Sequence, residues 1–215
     1  MPDHVENSEE HKLAWKLLEV RAPHRIPLVK KEPYKYIWSD CLPLFTKRDQ
    51  IDKQPQESPL EPVDLNIINL ETSVTTFPKK FPNKAFNYRM HPRNLKALKE
   101  ANIDYCSIAN NHVLDYCEEG LEDTVNSLHN IGIKLAGAGI NLEEAQKPAV
   151  LRARGKTILC FSFSDHYDYW AATNNKPGIN FIDVLNYTQK DIARIRDLIA
   201  HYKSAAQADM VVFSI

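Results

Sequence analysis

From residue 64 onward the chain alternates short apolar runs with longer stretches in which apolar residues recur every three or four positions. "DLNIINL" (64–70), "IDYCSIA" (103–109), "IKLAGA" (133–138), "PAVLRA" (148–153), "KTILCFSF" (156–163) and "DMVVFSI" (209–215) read as strands, with "RGK" (154–156) turning one hairpin. Between them, "HPRNLKALKEA" (91–101) predicts a helix that has Pro92 near its start and Leu95 and Leu98 on one face. "EEGLEDTVNSLHNIG" (118–132) puts Leu121, Val125, Leu128 and Ile131 on one stripe and ends on Gly132, a C-cap residue. "TQKDIARIRDLIAHYK" (188–203) opens on a Thr188/Asp191 capping box and is expected to bury Ile192, Ile195, Ile199 and Tyr202. Strands alternating with helices predict an α/β layer architecture with at least partly parallel pairing.

The pattern fails in two places. Residues 1–33 are charged, contain Pro23, Pro27 and Pro33, and offer one helical candidate, residues 12–20; they read as a loosely attached arm. Residues 47–62 are charged, carry Pro55, Pro59 and Pro62, and read as a surface insertion in the domain that runs over 34–215. Composition adds exclusions. A net charge of −1 gives no electrostatic footprint for nucleic acid or an anionic membrane. No apolar run approaches the ~18 residues of a membrane span, and the acidic start lacks a signal-peptide core, so the expected location is cytoplasmic. Cys41, Cys106, Cys117 and Cys160 have no CxxC spacing and read as reduced thiols.

Chemistry concentrates where strands end. The run 64–70 leads directly into Glu71, and the run 103–109 leads into Asn110, Asn111 and His112. Ligands in open α/β sheets bind beyond the carboxyl ends of strands. Neighbouring strands are ~4.8 Å apart, so two such ends can reach one metal or phosphate. Carboxylate, amide oxygen and imidazole together suit Mn, Fe or Zn, with Asp115 able to orient His112. The same residues are also good turn formers, and spacing alone leaves both readings open. "SFSDHYDYW" (162–170) sets Asp165, His166 and Asp168 after a third strand, either as site residues or as a surface loop over Trp170. "GAGINL" (137–142) has Leu142 where a dinucleotide loop needs its third glycine, and reads as a tight strand-to-helix turn.

"NLETSVTT", "FNYRMHPRNLKALKEANIDYCSIANNHVLDY", "GLEDTVNSLHNIGIKLAGAGINLEEAQKPAV" and "WAATNNKPGINF" closely resemble, in order and spacing, the capsule-synthesis (poly-γ-glutamate, CapA-like) protein family. That family belongs to the calcineurin-like metallo-dependent phosphatase superfamily, and the resemblance runs from about Tyr34 to Ile215.

The resemblance implies a metallophosphatase-like layered α/β sandwich with mixed sheets flanked by helices and two divalent metal ions at the strand ends. Glu71 matches a bridging carboxylate ligand, Asn111 a ligand of the second metal, and His112 a group that protonates the leaving oxygen. Val113 stands where the superfamily's commoner form has an acidic residue, so Asp115 matches the His112 partner by analogy. Arg89 and His91, with Asn110, match the substrate-binding loops and are expected to hold an anionic group of a small-molecule or polyglutamate-type substrate. The family's first Gly-Asp strand has no counterpart before Tyr34, and its later histidine motifs have none up to Ile215. The expectation is therefore a domain truncated at both ends, inactive by itself and inclined to self-associate through an open sheet. A hydrolase of phosphoester or polyglutamate-type amide bonds is the first functional reading. The alternative is a non-catalytic binding or structural module.

Overall fold

The computed structural model describes residues 9–47 and 62–215, so most of the expected insertion at 47–62 lies outside the described residues. The chain forms two units, residues 1–66 with 93–103, and residues 67–92 with 104–215. In the first, the helical candidate at 12–20 extends over Glu9–Arg21 (α1), and a 3-10 turn, Pro23–Arg25, leads into a short helix, Ile26–Lys31 (α2). The described residues of the segment expected to be an irregular arm are thus largely helical, and Pro23 fits because it sits at the start of its turn, where a missing N–H is harmless. The helix expected over 91–101 divides into a 3-10 turn, Pro92–Leu95, and a helix, Lys96–Glu100 (α3). Trp38 ties this unit together by donating Nε1 to the Ala97 carbonyl at 2.8 Å and meeting Phe45 edge-on at 4.9 Å.

The second unit carries the strand and helix alternation. Its sheets use β1 (Asn66–Asn69) and β4 (Ile103–Ser107), each with its first residue in the other unit, then β5 (Lys134–Ala136), β7 (Ala149–Ala153), β8 (Lys156–Ser162) and β10 (Met210–Ser214). These make two three-stranded sheets, in the orders β1-β4-β5 and β10-β8-β7. β4 and β5 pair in parallel, as do β8 and β10, whereas β7 and β8 form the expected antiparallel hairpin. Arg154 and Gly155 both take positive φ there, as a two-residue hairpin turn requires. Two small ladders, β2 (Ser73–Val74) with β3 (Arg89–Met90) and β6 (Ala138–Gly139) with β9 (Gly178–Ile179), complete an α/β fold with mixed sheets flanked by helices.

Helix α4 (Cys117–Asn130) buries Leu121, Val125 and Leu128 as its stripe predicts. Ile131 is only half-buried, and Ile133, just past the helix, is buried instead. Gly132 at φ +74 lets the Ile133 N–H reach Leu128 and its own N–H reach His129, the paired bonds that stop a helix cleanly. The Gly-Ala-Gly run, expected to be a turn, instead puts Ala138–Gly139 into β6, and the chain enters α5 (Leu142–Gln146) two residues later with Asn141 as N-cap. Helix α6 (Gln189–Ala206) has the Thr188/Asp191 capping box. Its contact stripe is Ile195, Leu198, Ile199 and Tyr202, half-buried against Leu159, Phe161 and Phe163. Ile192 lies one turn before that stripe and stays 44% exposed, against expectation.

The last residues of β4, β8 and β10 are all serines, and their hydroxyls meet. Ser107 and Ser162 are 2.7 Å apart, and Ser214 is 3.3 Å from Ser107. Small neighbours make the approach possible: a Cβ on Gly137 would stand 2.5 Å from Ser162 Oγ and 2.6 Å from Ala109 Cβ, and its φ is +102. Gly137→Ala should therefore destabilise the fold by about 3 kcal/mol in urea unfolding, from backbone strain and overpacking together. Gly155→Ala, with open space around it, should lose only about 1 kcal/mol.

Burial raises the thiol of Cys106 to about 12 and that of Cys160 to about 11, against an ordinary 9.0. Above that ordinary value the unfolded chain releases these protons while the folded chain keeps them, so stability is retained below it and falls as pH rises through it. Denaturant midpoints measured across this alkaline range should fall steeply in the wild type and less in a Cys106→Ala/Cys160→Ala variant.

Candidate functional site

The segment after β4 performs turn chemistry and holds the expected site residues at once. Asn110 Oδ1 accepts the His112 N–H at 3.1 Å, which closes the turn. Its Nδ2 donates to Asn69 Oδ1 and to the Leu70 carbonyl, each at 3.0 Å, tying the exits of β4 and β1 together. Ser73 clamps the turn from below by donating toward the carbonyls of Val113 at 2.9 Å and His112 at 3.2 Å.

This brings Glu71, Asn110, Asn111, His112 and Asp115 into one neighbourhood. His112 is 7% exposed and Asp115 is fully buried. His112 Nδ1 lies 2.6 Å from Asp115 Oδ2, and Nε2 lies 3.8 Å from Glu71 Oε1. A carboxylate oxygen accepts, so at 2.6 Å Nδ1 carries the hydrogen toward Asp115 Oδ2, and Nε2 faces Glu71. Asp115 Oδ2 also accepts the Tyr88 N–H at 2.5 Å, and the Tyr88 ring stacks on the imidazole with centroids 4.0 Å apart. The other oxygen, Oδ1, accepts from Lys84, whose side chain is 9% exposed. The Lys84 ammonium donates as well to the Asn111 carbonyl at 2.6 Å. The buried carboxylate thus has a buried counter-ion and no idle oxygen.

In front of this cluster is a pocket of about 430 Å³ lined by Asn69, Glu71, Asn110, Asn111, Asp165 and His166, with Ser107, Ser164, Ser214, Ala109 and Ile215. Asp165 and His166 enter it from the loop after β8, where Ser164 Oγ donates to the His166 carbonyl at 2.8 Å and accepts its N–H at 3.2 Å. The lining holds two carboxylates and no lysine or arginine. Arg89 is elsewhere: its Nη1 donates to the Phe77 carbonyl at 3.1 Å and its guanidinium lies 4.8 Å from the Tyr116 ring centroid. His91 is half-buried beyond β3 and is not in the lining.

The donors facing the pocket are chemically suited to a divalent cation: the Glu71 carboxylate, the Asn111 amide, and Asp165 and His166 on a second wall. Among the described residues no three His, Cys, Asp or Glu side chains converge tightly enough to enclose one by themselves. The sequence reading missed Lys84 and Tyr88. Tyr88 falls within the Asn-Tyr-Arg-Met-His-Pro segment, whereas Lys84 lies in a loop with no periodicity to mark it.

The chain matches the family described as bacterial capsule synthesis protein over residues 13–215, a match that begins earlier than Tyr34. A "probable polyglutamine synthesis accessory protein" of Mycobacterium tuberculosis (strain H37Rv) is 35% identical over 135 residues, 60% of this chain and 35% of the relative. The PGA biosynthesis protein CapA of Bacillus subtilis (strain 168) is 30% identical over 115 residues, 52% of this chain and 30% of the relative. The capsule biosynthesis protein CapA of Bacillus anthracis is 31% identical over 85 residues, 39% of this chain and 21% of the relative. The alignments span about a third or less of these curated relatives.

Removing the buried carboxylate should be severe. Asp115→Ala strands the Lys84 ammonium, the Tyr88 N–H and the His112 Nδ1–H, and should lose about 3–5 kcal/mol in urea unfolding. A loss below about 1 kcal/mol, the size of an ordinary hydrogen bond, would contradict this reading of the cluster.

Proposed function

We infer, from the premise that this chain belongs to the bacterial capsule synthesis protein family, that its second unit carries a hydrolytic site for an anionic polymer or small molecule. The bond class is a polyglutamate-type amide or a phosphoester. The observation that carries this reading is the Asp115–His112 pair, which fixes the proton on Nδ1 and turns Nε2 toward Glu71 at the pocket.

In this reading, Nε2 accepts a proton from the attacking water, and the imidazolium so formed is stabilised by Asp115. It then returns the proton to the leaving nitrogen or oxygen as the scissile bond breaks. Tyr88, stacked on the ring, and Ser73, holding the turn, keep the imidazole from rotating. Glu71 and Asn111 would hold a divalent ion such as Mn, Fe or Zn, and such an ion supplies an activated water and charge neutralisation at the scissile group. Because the pocket lining has two carboxylates and no lysine or arginine, binding of an anionic substrate should depend on that cation.

The alternative, a binding module without turnover, draws support from the small number of charged ligands that converge at the site.

Turnover of p-nitrophenyl phosphate and of a γ-glutamyl peptide, measured with added Mn²⁺, separates the two. His112→Ala should reduce the rate by about 10²-fold or more, as loss of a general acid–base does, while leaving bound Mn²⁺ unchanged. Glu71→Ala should lower bound Mn²⁺ itself. Metal binding without turnover of either compound would favour the binding module, and neither metal nor turnover would overturn both readings.

A further inference from the structure

Lys84 is buried at the junction of three loops. It lies on the loop between β2 and β3, which also supplies the Tyr88 ring and N–H. Its ammonium donates to Asp115 Oδ1 and to the Asn111 carbonyl on the loop after β4. The rings of Trp170 and Tyr167 cover it, with centroids 5.3 and 5.9 Å away, and both belong to the loop after β8 that carries Asp165 and His166. Burying an ammonium is unfavourable unless its donors are met, and here two strong acceptors and two aromatic faces meet them.

We propose that Lys84 is a positioning residue: it locks the orientation of Asp115, and through it the proton-bearing nitrogen of His112, while anchoring the Asp165–His166 wall of the pocket. The geometry leaves one consistent proton arrangement. Lys84 Nζ is 3.1 Å from His112 Nδ1, and an ammonium can only donate. Donation to Nδ1 would require Nδ1 to be bare, and two lone pairs would then face each other across the 2.6 Å contact with Asp115 Oδ2. The lysine protons therefore go to Asn111 and to Asp115 Oδ1, and the Nδ1 hydrogen goes to Oδ2. Holding Oδ1 pins the carboxylate plane, so Oδ2 stays in line with the imidazole. Without the ammonium, Asp115 is free to turn and the imidazole loses its single tautomer. The ammonium also gives the long β2–β3 loop, exposed at Phe86 and Tyr88, a buried anchor.

The proposal rests on the reading of His112 as the proton-transfer group, but its test does not need turnover. The chain labelled with ¹⁵N-histidine is examined by long-range ¹⁵N–¹H NMR at a pH where the imidazole is neutral. In the wild type, His112 Nδ1 should resonate as a protonated nitrogen and Nε2 as an unprotonated one. In Lys84→Met the two signals should move toward each other as tautomers mix, and Lys84→Arg should restore much of the separation. Unchanged His112 signals in a folded Lys84→Met protein would overturn the proposal, as would a wild-type Nε2–H tautomer. Should Lys84→Met not fold, the wild type alone decides. A hydrogen-bonded Lys84 ammonium should give a slowly exchanging ¹⁵Nζ–H signal in the cold, and exchange as fast as that of the surface lysines would refute it. Loss of turnover in His112→Ala addresses the hydrolytic reading separately.

Discussion

A carboxylate with no exposed surface is the constraint around which this unit is organised. Asp115 is accommodated in the interior because Lys84, Tyr88 and His112 bring donors to both of its oxygens. Those donors come from two loops that are distant in sequence, so satisfying one side chain fixes how the loops pack. Removing any partner leaves a buried charge or a buried donor unmet, which is far more damaging than losing a surface ion pair.

The same economy appears at the strand ends. Small residues and hydroxyls gather there: Ser107, Ser162 and Ser214 meet above Gly137, and Asn110 links the exits of β1 and β4. Close approach of the strand ends leaves a polar floor, and the side chains just beyond it, Glu71, Asn111, Asp165 and His166, form the walls. The pocket is therefore a product of the backbone arrangement, with its chemistry supplied by the residue that follows each strand. The bacterial capsule synthesis family to which the chain belongs gives that arrangement a functional setting.

Much of this was legible in the sequence because it is encoded locally. A continuous apolar run marks β8 and a recurrence every three or four residues marks α4, while Arg154–Gly155 turn the chain into β8 and Gly132 ends α4. Thr188 with Asp191 marks the start of α6. Glu71 and the Asn110–His112 run were visible because each directly follows an apolar strand. Lys84 was not visible, since 31 residues separate it from Asp115 and nothing local distinguishes a buried lysine from a solvated one. Arg89 and His91 show the converse: a motif marked them, yet Arg89 spends its guanidinium on Phe77 and Tyr116 outside the pocket lining. Ile192 fits a helical stripe but lies one turn beyond the surface that the stripe covers.

The central proposal is that a buried Lys84–Asp115–His112 cluster stands directly behind a pocket that takes a divalent cation. A crystal structure of the chain soaked in Mn²⁺, with anomalous diffraction collected at the manganese edge, tests it most directly. The account predicts an anomalous peak within coordination distance of Glu71 and Asn111, with His112 Nε2 facing the pocket and Lys84 enclosed against Asp115. No peak in that pocket, or Lys84 turned out to solvent, would contradict it.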